Sequence, residues 1–193
     1  MDFNTYLVES KRTLVEKGCV LDFYHAVLGI SSELGELVDI IKRHVYYGKP
    51  LDLLHIKEEI GDIFWYQAVL YRLSGFEVIP DVYRKEGLPF IYRKHLELHT
   101  NNLLGLIFDY IKLCTFPDVA NNDDTFEQSL LIYLNCLYNG TVFLLEHFGF
   151  TLSDVLETNI NKLKVRYPDK FNTQDALNRD LVSERVALES RGI

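Results

Sequence analysis

Apolar residues recur at three- and four-residue spacing along seven stretches of the chain, 3–17, 22–46, 54–74, 95–115, 124–148, 152–167 and 174–190. That period gathers them on one face of a helix, and each such stripe needs another to cover it. Gly and Pro fall in the intervals: Gly48 with Pro50, Gly75 with Pro80, Gly87 with Pro89, Pro117, Gly149 and Pro168. The β-like piece Glu77 to Ile79 has no alternating partner, so no sheet is expected. The pattern predicts an all-α chain, an antiparallel helical bundle in one domain over residues 1–193. Asp123 or Asp124 is expected to cap the 124–148 helix, and Thr151 with Asp154 the 152–167 helix. Residues 77–94, rich in turn formers and aromatics, read as an excursion between two halves.

Charge narrows the partners. Lys and Arg total 20 against 28 Asp and Glu, a formal net charge of −8. That balance argues against a grip on nucleic acid phosphates or on an anionic membrane. The three cysteines, Cys19, Cys114 and Cys136, are odd in number and widely spaced, which predicts free thiols in a reducing cytoplasm. Asp2 follows Met1 without a basic stretch leading into an apolar run, so no secretory signal is expected. No apolar run approaches the ~18 residues of a membrane helix.

The two halves share a pattern. Glu33 to Lys42 aligns with Leu103 to Lys112, with identities at Leu34/Leu104, Gly35/Gly105, Asp39/Asp109, Ile41/Ile111 and Lys42/Lys112. Gly75-Phe76 likewise aligns with Gly149-Phe150. Shared Gly, Asp and Lys are harder to reach by chance than shared Leu or Ile. Two helical hairpins that cover each other's apolar faces are therefore expected.

The chemistry lies in the first half. Glu33 and Glu36 are three residues apart, on one helical face, and Glu59 and Asp62 repeat the spacing on the next helix. Glu33 falls in the stripe of Ala26, Ile30, Leu37 and Ile40, and Glu59 and Asp62 lie among Ile56, Ile60, Ile63 and Tyr66. Four carboxylates at the edge of apolar stripes repel one another and lose hydration unless cations compensate them. Asp62→Asn and Glu36→Gln are each expected to leave the metal-free protein level in stability or to raise it. Oxygen donors without His or Cys select Mg²⁺ or Mn²⁺. Mg²⁺ keeps positions open for water and phosphates, an arrangement suited to phosphoanhydride chemistry.

Glu33-x-x-Glu36, 22 intervening residues, then Glu59-x-x-Asp62 resembles the metal signature of the all-α NTP pyrophosphohydrolases of the MazG-like type. The segments HAVLGISSELGELVDIIK and EEIGDIFWYQAVLYRLSG resemble that family's two central helices. The likeness covers roughly residues 5–76 and resumes at 152–189. A family-like ending stands at Asn159-Ile-Asn-Lys162-Leu-Lys164-Val-Arg166-Tyr167-Pro168, displaced downstream by what looks like a second hairpin. In this the chain is similar to the dimeric dUTPase branch, where a duplicated bundle keeps one acidic site. The resemblance implies a four-helix core with an active hairpin at about 22–76, a degenerate hairpin at about 95–150, and phosphate-binding and tail helices over 152–190. Opposite the four acids the second hairpin offers Leu103, Leu106, Tyr133 and Cys136, none of them a Mg²⁺ ligand.

The implied activity is Mg²⁺-dependent cleavage of a nucleoside triphosphate to the monophosphate and pyrophosphate. Glu33, Glu36, Glu59 and Asp62 would hold metal, and Glu36 or Glu33 would take the proton of the attacking water. Asn159, Lys162 and Arg166, at i, i+3 and i+7, put an amide and two cations on one face, either for phosphate or to complement the helix dipole. Tyr167 belongs to the same ending. Lys42 is a further phosphate candidate or a solvated helix residue. His25, Trp65 and Tyr66 are aromatic candidates for the base, or core. Glu58 is an outer partner of the metal site or a surface acid. A carboxylate di-iron bundle would need Glu-x-x-His pairs, which are absent here. A non-catalytic nucleotide-binding or scaffold protein is the alternative. The amphipathic tail from Ala176 to Leu188 could pack across a homodimer.

Overall fold

The computed structural model describes residues 1–78 and 125–189, apart from 173, 175, 176 and 179. Six helices form there: α1 (Phe3–Ser10), α2 (Cys19–Tyr47), α3 (Leu53–Ser74), α4 (Thr125–His147), α5 (Leu152–Arg166) and α6 (Leu181–Glu189). No strand occurs among the described residues, and the helices pack on one another as the all-α reading expects. No described helix is long and apolar enough to cross a membrane.

The centre of the bundle is α3. It touches each of the other five described helices, and Ile56, Ile60, Ile63, Phe64, Ala68, Val69 and Leu70 are wholly buried. A helix apolar on nearly every side has to sit inside. Its start is set by Asp52, whose carboxylate accepts the His55 N–H at 3.0 Å. Its end is set by Gly75 at φ 69°, a left-handed backbone that glycine adopts without cost. Gly48 ends α2 in the same way at φ 65°. The short link 48–52 thereby folds α2 back along α3 as an antiparallel hairpin.

Around α3 the remaining helices close the core. Phe3 of α1 meets Tyr6, Phe64, Tyr71 and Tyr138 with ring centroids 5.0–6.0 Å apart. α5 starts as expected, with Thr151 Oγ1 accepting the Asp154 N–H at 3.2 Å.

Two ends differ from the periodic reading. The expected 3–17 helix stops at Ser10 and tightens into a 3₁₀ turn at Lys11–Thr13, after which Leu14 is extended. Arg12 draws this turn toward the end of α5 by donating to the carbonyls of Tyr167, Pro168 and Asp169. In the tail, Gln174 and Leu177 are helical, the Asn178 N–H donating to the Gln174 carbonyl, but the helix is not continuous: a new one starts at Leu181, where the Asp180 carboxylate accepts the Ser183 N–H at 3.1 Å.

The expected 95–115 helix, the excursion beyond residue 78, the Asp123 or Asp124 cap, Cys114, and Leu103 to Lys112 of the repeat lie outside the described residues. Tyr133 and Cys136, aligned with Glu59 and Asp62, are both buried on α4.

Candidate metal centre

Glycine decides how closely the helices of the site approach. A Cβ on Gly29 of α2 would lie 2.2 Å from the Tyr66 ring of α3, so any larger residue would displace that ring from its place over α2. A Cβ on Gly61 of α3 would lie 3.0 Å from Asn159 of α5. These two gaps let α2, α3 and α5 converge at the level of the acids.

All four predicted acids come together there. Carboxylate oxygens of Glu33, Glu59 and Asp62 lie within 4.8 Å of one another. Glu36 joins Glu59 in a second group of the same span, completed by His55. Glu59 is the most enclosed of the four, with 4% of its surface exposed.

Crowding and burial act on the protons. Burial comes first for Glu59, followed by its hydrogen bond with Glu33 and the charges of Asp62, Glu33 and Glu36, and its carboxyl is pushed up to about 9. Burial also raises Glu33, aided by the charges of Asp62 and Glu36 and opposed by its hydrogen bond with Glu59. The pair holds a proton at neutral pH when no cation stands between them. An oxygen-rich cluster that must bind a proton to relieve its charge fits a hard divalent cation, which would displace that proton.

A pH dependence follows. The ordinary value for Glu59 is 4.5 and the folded value about 9. Between these the folded state binds more protons than the unfolded one, so stability falls as pH rises through that window. Thermal midpoints in chelator are expected to drop from about pH 5 to about pH 9, and Glu59→Gln to flatten the slope. Equal slopes in the two proteins would contradict this account.

A cavity of about 610 Å³ opens beside the acids. Its walls carry His25, Trp65, Tyr66, Arg166 and Tyr167, five residues singled out from sequence, and Glu58. Trp65 donates its Nε1–H to Thr13 Oγ1 at 2.9 Å, and the His25, Trp65 and Tyr66 rings meet edge to face at 5.0–5.8 Å. Burial pushes His25 below its ordinary value, against the pull of Asp22. Arg166 is gripped through Nε and Nη2 by both oxygens of Glu184 of α6, at 2.9 and 2.5 Å. Burial alone would lower the guanidinium, but Glu184 holds it above its ordinary value.

Three expected phosphate contacts stand elsewhere. Lys162 is wholly buried and off the cavity wall; its ammonium lies 2.7 and 2.5 Å from the two oxygens of Asp62 and 3.3 Å from Glu58. Asn159, also off the cavity wall, donates to Asp62 Oδ1 at 2.7 Å and accepts the Tyr6 hydroxyl at 2.6 Å. Both residues reach the acid from behind, because α5 crosses α3 with this face inward. Lys42 is more than half exposed, pairs with Asp39 one helical turn away and does not line the cavity.

Sequence reasoning missed His55, Glu184, Gly29 and Gly61. His55 carried a readable signal, being four residues before Glu59 and so on the same helical face. Glu184 carried none, since its partner is 18 residues away on another helix. Against models of protein families, curated proteins and solved structures, the chain finds no match in any of the three.

Proposed function

We propose that this chain is a Mg²⁺-dependent nucleoside triphosphate pyrophosphohydrolase, cleaving the α–β phosphoanhydride bond to a nucleoside monophosphate and pyrophosphate. The observation that carries the reading is the convergence of two acid pairs, from α2 and α3, on one cavity that also exposes aromatic rings and a guanidinium. Its volume lies in the range of small-molecule sites. Glu33, Glu36, Glu59 and Asp62 would hold Mg²⁺, which would polarise the phosphate oxygens and acidify the attacking water.

The remaining work belongs to side chains. Lys162 and Asn159 fix Asp62 from behind, so its orientation does not depend on substrate. Glu36 is exposed and no described cation pairs with it, which suits it to take the proton of the attacking water. Arg166 spends Nε and one terminal nitrogen on Glu184, leaving its other amino group for a phosphate oxygen. Trp65, Tyr66 and His25 offer flat surfaces for a base.

Pyrophosphate release from a panel of ribo- and deoxyribonucleoside triphosphates, with and without Mg²⁺, tests the reading. Mg²⁺-dependent release is expected; nucleotide binding without turnover would favour the non-catalytic alternative.

Arg166→Lys keeps the charge and loses the planar fork. A lost charge-assisted hydrogen bond is worth about 1.5–3 kcal/mol, so KM is expected to rise about 10- to 100-fold with kcat little changed. A steady-state titration in NTP checks the split.

A further inference from the structure

The cavity beside the four acids also reaches a buried carboxylate at the start of α2, Asp22. Asp22 lies eleven residues before Glu33, three turns back and about 16 Å along the helix, so both fall on one face. Between them Tyr66 rests over Gly29, with the Trp65 and His25 rings beside it, and all three rings line the cavity. Asp22 is 4% exposed. Among the described residues its carboxylate accepts a single donor, the Lys17 backbone N–H, 3.0 and 3.3 Å from its two oxygens. That contact and the positive end of α2 account for an acid in the first turn. They do not account for its place on a cavity wall, with lone pairs left over on both oxygens. Trp65, by contrast, has already spent its Nε1–H on Thr13 Oγ1.

We propose that the Asp22 carboxylate reads the base of the nucleotide, and that the substrate carries guanine. The inference rests on the pyrophosphohydrolase reading and fixes its substrate class. With the phosphates at the acids, three turns of α2 leave room for the sugar. The base then lies against Trp65, Tyr66 and His25 with its edge toward Asp22. An ionised carboxylate can only accept hydrogen bonds. Guanine sets N1–H and an N2–H side by side, a pair of donors matched to two carboxylate oxygens. Adenine and cytosine set one amino group beside a bare ring nitrogen, which a carboxylate repels. Uracil and thymine flank their one N–H with carbonyls, so they leave the buried acid least satisfied and are refused most strongly.

The test compares GTP, ITP and UTP with Mg²⁺ on the full chain, by turnover and by calorimetric binding of their α,β-methylene analogues. In the wild type kcat/KM for GTP is expected to exceed that for UTP about 10- to 100-fold. ITP lacks only the N2 amino group and should fall about tenfold below GTP. That ratio is read on the unaltered protein, so it stands however any variant folds. Asp22→Asn keeps an oxygen for the Lys17 N–H and replaces the other acceptor by a donor. It should erase both ratios, chiefly by weakening GTP. A merely structural Asp22 would instead lower all three nucleotides alike and leave the ratios in place, which would overturn the proposal. Turnover that does not distinguish GTP from ITP and UTP would overturn it while sparing the hydrolase reading. Tighter binding of the guanine analogue with no hydrolysis of any triphosphate would uphold Asp22 and overturn the hydrolase reading. A wild type that binds none of the three overturns both.

Discussion

Asp62→Asn and Glu36→Gln are each expected to lower Mg²⁺-dependent pyrophosphate release on the order of 10³-fold or more, the scale on which one group stabilising developing charge is felt. On the proposed reading both changes would remove a negative ligand and leave a neutral amide in its place. Near wild-type turnover in either variant would end the metal assignment.

Stability separates the acids further. For Asp62→Asn the position of Lys162 reverses the expected sign of the stability change. The Asp62 charge is the nearer partner of a wholly buried ammonium, at 2.5 Å, so Asp62→Asn leaves Lys162 short of compensation and lowers the midpoint. Glu59→Gln does the reverse. Among the described residues the Glu59 carboxyl has no comparable cation beyond the half-exposed His55 and is driven to bind a proton, so a neutral amide costs the fold nothing at neutral pH. A gain of about 1 kcal/mol, or roughly 2–4 °C for a chain of this size, is expected. Melting both variants in chelator gives the two signs; a common sign would refute this division of labour.

The contrast shows how far the sequence could be read. Period and punctuation locate α2 and α3 within a few residues, because a long buried helix carries its stripe openly. The grouping of Glu33, Glu36, Glu59 and Asp62 was equally legible: three-residue spacing fixes each pair, and a short link makes the helices neighbours. What α5 does was not legible. Asn159, Lys162 and Arg166 share a face in any helix, but which of them meets solvent depends on the crossing over α3. Gly61 sets that crossing, by a contact 98 residues distant in sequence from Asn159 (159 − 61). The result divides the face: Arg166 reaches the cavity, while Lys162 and Asn159 lie behind Asp62. Helix ends were misread for a related reason. Ser10 and Asp180 stop or start helices through capping and through Arg12, local chemistry that a long apolar period overruns.

Lys162→Met should therefore act on the fold before it acts on substrate. The side chain is wholly buried, so an unbranched apolar replacement keeps the volume and removes the charge. Asp62 then faces Glu33 and Glu59 with only the Asn159 amide to hold it, and a partly buried carboxylate without its cation is the costly half of a broken pair. A loss of about 3–5 kcal/mol is expected, some 6–20 °C in midpoint at this chain length. Divalent cations should restore part of it. With the competing ammonium gone, Mg²⁺ meets an acid cluster one charge more negative, and the upward shift of the midpoint on adding Mg²⁺ should be larger in the variant than in the wild type. Lys162→Arg offers a control: it retains charge in a space shaped for a single ammonium, so it should strain the packing without unmasking Asp62, and its response to Mg²⁺ should stay near that of the wild type. Thermal melts of the three proteins, with chelator and with Mg²⁺, supply the six midpoints needed. If Lys162→Met melts like the wild type and only its KM for NTP rises, the ammonium serves phosphate after all, and the position of Lys162 behind Asp62 has been misjudged.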